Sequence, residues 1–134
     1  MPVSRGMVLY YNAASPKEGG KAKAVFATHG LRIRAISPEE LGCPVGSFTG
    51  LLPKPEALLN ERAPLTESIM VFSGLGGPAL DRVLSALLRA GVPRSVYKAI
   101  VTPGNATWDF YQLCEELKAE RAAVEGPSGA TENL

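Results

Sequence analysis

The stretch "SIMVFSGLGGPALDRVLSALLRAGVPRSVYKAIVT", Ser68 to Thr102, constrains the fold of this chain most. Ser68–Gly74 is its most apolar strand-like run, the composition of a central strand covered on both faces. Pro78 suits the first turn of a helix, and Leu80, Val83, Leu84, Leu87 and Leu88 then recur at helical spacing as one apolar stripe. Gly91 is placed to end that helix, and Ser95–Thr102 returns as a second strand. Strand, full helix and strand with tight loops between them are what a parallel crossover unit requires.

The first part of the chain repeats the plan. Met7–Asn12 is short, apolar and β-prone. Ser15, Pro16 and Glu18 form a capping box with proline at the first helical position. Ala22, Val25, Phe26 and His29 mark one face of the helix that follows, and Gly30 is its expected left-handed cap. Leu31–Ser37 alternates apolar and charged residues, as a half-buried or edge strand does. Residues 52–66, rich in proline, read as an irregular excursion. A last helix is expected to start at Trp108, capped by Asn105 or Thr107, and to bury Phe110, Leu113, Cys114 and Leu117. Residues 1–124 therefore read as a single α/β domain, and residues 125–134, small and polar, as a flexible tail.

The expected architecture is a four-stranded parallel sheet in the order 2-1-3-4 with helices on both faces. The alternative is a ferredoxin-like α+β fold, an antiparallel sheet with helices on one face. The parallel form is favoured because each strand pair is linked by a whole helix, and because the third helix needs a sheet face to cover.

Composition narrows the partners. The chain has 134 residues and a net charge of +1, so it lacks the basic footprint of a nucleic-acid or acidic-membrane binder. No apolar stretch approaches a membrane span, and the opening "MPVSRGMVLYYN" has no long signal-peptide core. A cytoplasmic protein is expected, with Cys43 and Cys114 as free thiols. No metal spacing, Walker loop, nucleophile elbow or paired carboxylates are present in the sequence. A non-enzymatic role without a cofactor is favoured, and the question of catalysis stays open.

Several segments together resemble the small bacterial family known as domain of unknown function 3783. They are "MVLYYN" with Asn12, "CPVGSFTG" with Pro44 and Gly46, Leu80-Asp81 with Val83-Leu84, Lys98–Pro103, Asn105, Trp108, and Glu115-Glu116-Leu117. The Thr-Pro-x-Asn-x-x-Trp segment is the most specific, and the resemblance covers most of Met7 to Glu120. The chain departs from the family after its third strand, where "GLGGP" stands in place of a Gly-Phe-Thr-Asn-like loop. The resemblance implies a fold and brings no activity with it.

Gly74, Gly76 and Ala79 fit the dinucleotide pattern G-x-G-x-x-G/A, but no acidic residue follows at the end of the next strand, so a plain strand-to-helix turn is the better reading. His29, the only histidine, lies on the apolar face of its helix and is expected to be structural. In a parallel sheet all strand-to-helix loops would meet at one rim, where ligands of open α/β sheets bind. Asn12, Ser73, Gly74, Thr102, Asn105 and Trp108 are therefore the expected ligand-binding residues of a binding or regulatory module. The alternative is a self-associating, homo-oligomeric interaction module using Leu51, Leu52, Leu58 and Leu59, or Tyr10 and Tyr11, as an exposed apolar patch.

Overall fold

Two βαβ units lie side by side in the computed structural model, which describes residues 6–55 and 60–125. The first is β1 (Met7–Tyr11), α1 (Pro16–Thr28) and β2 (Arg32–Ala35). The second is β3 (Ile69–Ser73), α2 (Gly77–Arg89) and β4 (Tyr97–Ile100), followed by α3 (Phe110–Glu125). Sheet order is β2-β1-β3-β4, as the sequence implied.

Strand polarity differs from the expected all-parallel sheet. β1 runs parallel to β2 and β3 runs parallel to β4, but β1 and β3 pair antiparallel, with Leu9 opposite Val71 and Met7 opposite Ser73. The sheet is mixed. The crossover argument holds wherever a helix links two strands, in β1-α1-β2 and β3-α2-β4. Among its described residues, the link from β2 to β3 has no such helix. Its described part contains two short 3₁₀ turns, Pro38–Glu40 and Val45–Ser47, and an irregular backbone, so nothing obliges the chain to return in parallel. The ferredoxin-like alternative fails too, because helices cover both faces.

Alternation along the strands divides the core between those faces. Val8, Tyr10, Met70 and Phe72 meet Ala22, Val25 and Phe26 of α1 and Val83 and Leu87 of α2. Leu9, Tyr11, Ile69 and Val71 meet Phe110, Leu113 and Cys114 of α3 together with Leu41 and Val45 of the β2–β3 link. Tyr10 and Tyr11 are thus buried and form no exposed patch. Leu51 is exposed, Leu52 is half-buried, and Leu58 and Leu59 lie outside the described residues. Both cysteines are buried free thiols, and burial pushes each above its ordinary value. No helix among the described residues is long and apolar enough to cross a membrane.

The caps are local and legible. At α1 half of the expected box forms: Ser15 Oγ accepts the Glu18 N–H at 3.3 Å. The buried Glu40 carboxylate closes a second box, accepting from the Ser37 N–H (2.9 Å) and Oγ (3.2 Å) while both terminal nitrogens of Arg34 donate to it. Burial alone would raise this carboxyl, but the Arg34 pair and the Ser37 bonds outweigh it and hold Glu40 below the usual carboxylate range. A depressed folded-state value contributes stability above the unfolded-state value and loses it as pH falls through the folded one. Glu40→Gln should therefore lower stability at pH 7 by about 1–2 kcal/mol and flatten its decline on acidification. Urea midpoints compared from neutral pH downward test this; parallel curves for the two proteins refute it.

Candidate functional site

The mixed sheet separates the residues expected to share one rim. Asn12 follows β1 and lies at the end where β3 and β4 begin, whereas Ser73 ends β3, and Gly74, Thr102, Asn105 and Trp108 follow β3 and β4, at the opposite end. Antiparallel pairing of β1 with β3 is the whole reason.

At its own end, Asn12 is engaged locally. Its Nδ2 donates to the Ser15 carbonyl (3.1 Å) and its Oδ1 accepts the Ala14 N–H (3.0 Å). Gly19 lets it lie this close to α1, since a Cβ there would stand 2.6 Å from Asn12 Nδ2. Ser68 Oγ accepts the Ala13 N–H. The cleft beside these groups holds about 210 Å³ and is bordered by Tyr10, Glu18, Glu67 and Ser95 among others. That is small beside the roughly 300–1,000 Å³ of ordinary ligand pockets.

At the other end, Gly74 takes φ +80° immediately after β3, a left-handed turn that favours glycine. Thr102 and Asn105 lock one another: the Thr102 N–H donates to Asn105 Oδ1 (2.9 Å), and the Asn105 N–H donates to Thr102 Oγ1 (3.1 Å). Asn105 Nδ2 also donates to the Ile100 carbonyl (2.9 Å). Neither Asn105 nor Thr107 caps α3. Asp109 does, accepting the Gln112 N–H at 2.8 Å. Trp108 precedes this cap and stands at hydrophobic-staple spacing from Leu113, half-buried against the α3-side core. His29 is exposed at the end of α1, where its Nδ1 bonds the Val25 carbonyl, and is not on the buried face.

The structure draws attention instead to β4, an outer strand of the sheet. The Tyr97 and Val101 N–H groups donate to Ser68 and Phe72. By alternation, the backbone groups of Lys98 and Ile100 point away from β3 toward the open edge. Asn105 occupies the Ile100 carbonyl, and Lys98 Nζ occupies the Val96 carbonyl at 3.1 Å. The Lys98 N–H and C=O and the Ile100 N–H face outward. Among the described residues, two of the three exposed large apolar residues stand at this edge, Leu88 and Ile100, which are 44% and 49% accessible.

Two grooves border β4. The one toward α2 holds about 520 Å³ and is lined by Leu84, Leu88, Arg94, Ser95, Lys98 and Arg121. The one toward α3 holds about 490 Å³ and includes Ile100, Thr102, Asn105, Trp108, Leu117, Glu116 and Glu120. Lys98 borders both. Arg121 is held in place by the Arg94 carbonyl (3.1 Å) and the Tyr97 ring face (4.1 Å to the centroid). Burial, then the charges of Arg121 and Arg94, hold Lys98 below the ordinary lysine value. Sequence reasoning gave Leu88, Arg94, Lys98, Ile100 and Arg121 no place in a site. The available signal was a lysine within a strand already placed outermost, a common mark of an edge.

Residues 68–124 match the family model described as Domain of unknown function (DUF3783). The chain resembles this family over β3, α2, β4 and nearly all of α3, so the β4 edge and every residue bordering its two grooves lie inside the DUF3783 match. β1, α1, β2 and Asn12 lie outside it, so the match is shorter than the resemblance expected from Met7 to Glu120. No curated protein and no solved structure matches the chain.

Proposed function

We propose that this chain is a non-catalytic protein-interaction module whose β4 edge receives an extended segment of a partner protein. One observation carries the reading: the two large grooves border the same unpaired strand and share Lys98, with exposed Leu88 and Ile100 beside them. An added strand would take main-chain hydrogen bonds from Lys98 and Ile100 and set alternate side chains into the two grooves. Of the ligand-binding residues expected from sequence, Thr102, Asn105 and Trp108 border this surface, with Trp108 as its apolar wall. A second copy fits the edge less well. Antiparallel pairing of β4 with itself would bring two Lys98 side chains, each with Arg94 and Arg121 nearby, onto one short ladder.

A displayed library of extended peptides, selected on the whole chain and mapped by backbone amide shifts, tests the proposal. Binders should perturb the Lys98 and Ile100 amides and fail against Ile100→Pro, which removes the outward N–H without touching the β3 ladder. Binders that perturb only amides elsewhere, or a concentration-dependent dimer using this same edge, overturn it.

A further inference from the structure

The two grooves at the β4 edge differ in charge: cations alone line one, and two glutamates join Lys98 in the other, so a strand added there would read both. The groove that Leu84 and Leu88 of α2 border is lined by Arg94, Lys98 and, from α3, Arg121, with no carboxylate in the lining. Among the described residues none of these three cations has a carboxylate partner: the ion pairs are Lys21–Glu18, Arg34–Glu40, Arg62–Asp109 and Lys118–Glu67. Toward α3 stand Glu116 and Glu120 beside the apolar surface of Trp108, Leu113 and Leu117. Lys98 and Ile100 share the sheet face of α1 and α2, while Tyr97, Ala99 and Val101 belong to the α3 face.

An added strand has the same period of two, so every second side chain falls on the same side. We infer that the β4 edge selects extended segments whose residues alternate acidic and apolar, acids toward Arg94, Lys98 and Arg121 and apolar residues toward Trp108. The inference rests on the edge-docking reading and adds the partner's chemistry to it. Glu116 and Glu120 do part of the sorting. They repel acids from the Trp108 side, so a uniformly acidic segment is disfavoured and a segment slipped by one residue presents the wrong set to each groove. Arg121 is already immobilised against the Tyr97 ring and the Arg94 carbonyl, so little side-chain freedom remains to be lost on binding. Leu84 and Leu88 give the stems of acidic side chains an apolar floor.

Three eight-residue peptides with valine at alternate positions and glutamate, glutamine or lysine between them separate the ideas. Each is titrated into the full chain, with Trp108 fluorescence and the Lys98 and Ile100 amides as readouts. The glutamate peptide should bind about tenfold tighter than the glutamine peptide, and the lysine peptide weakest. The advantage should shrink in high salt. The double variant Arg94→Gln/Lys98→Gln, checked for folding by circular dichroism, should shrink the glutamate-to-glutamine affinity ratio severalfold, and an unchanged ratio overturns the charge inference. If all three peptides bind equally and shift the Lys98 and Ile100 amides, the charge inference falls and edge docking stands. If none of them shifts those amides, edge docking falls with it.

Discussion

Phe26→Ala should cost about 3–5 kcal/mol of folding stability. Phe26 is fully buried and sits between the two central strands, packing edge-on against Tyr10 of β1 (centroids 5.9 Å apart) and Phe72 of β3 (6.1 Å). It therefore ties α1 to both halves of the sheet across the one antiparallel junction. Truncation removes the ring's burial and both aromatic contacts, and leaves a void that rigid β1 and β3 have little room to close. Domains of this kind hold only about 5–15 kcal/mol in total, so the variant should unfold at a much lower urea concentration with an unchanged denaturant slope. A loss under about 1 kcal/mol would mean that the α1/α2 face collapses into the void and is not close-packed.

Gly46→Val should cost about 1–3 kcal/mol by overpacking and should also loosen Trp108. A Cβ at Gly46 would stand 2.8 Å from Ala106 Cβ and 3.0 Å from the Ala106 carbonyl oxygen. Ala106 is buried, and its carbonyl accepts the Gly46 N–H at 2.8 Å. One residue earlier, the Val45 N–H donates to the Trp108 carbonyl at 2.8 Å. The second 3₁₀ turn of the β2–β3 link is thus laced backbone-to-backbone onto the turn that carries Trp108. A side chain at Gly46 can be accommodated only by parting these two backbones. Trp108 emission should shift to longer wavelength before global unfolding, with Gly46→Ala showing a milder form of the same change. An unaltered emission spectrum and melting temperature would show that the two segments are not coupled in this way.

Much of the fold was legible in short stretches. Ser15-Pro16-Glu18 specifies a helix start whatever surrounds it, because the cap bond is made within one turn. The stripe from Leu80 to Leu88 and the run Ile69–Phe72 declare a helix and a buried strand by period and composition alone. The candidate surface was less legible. Thr102, Asn105 and Trp108 stood out because turn chemistry is local, yet Thr102 and Asn105 satisfy one another. Arg94, Lys98 and Arg121 border one groove only because α3 packs back across the α3-side face of β4. No spacing in the chain announces that.

By itself, the sequence determined the strands, the helices, the two βαβ units and the strand order. Each rests on hydrogen bonds and apolar periods that close within a few residues, or on crossovers whose whole helix dictates parallel pairing. Only the tertiary structure decided the direction of β3 against β1. That choice lies in the path of the irregular link between β2 and β3 across the α3 face, where Leu41 and Val45 find their burial. Local pattern is indifferent to strand direction, since an apolar strand alternates identically read either way. With that one antiparallel pairing, Asn12 and Trp108 moved to opposite ends of the sheet, and the open edge of β4 became the place where the segment that resembles DUF3783 gathers its grooves and its charge.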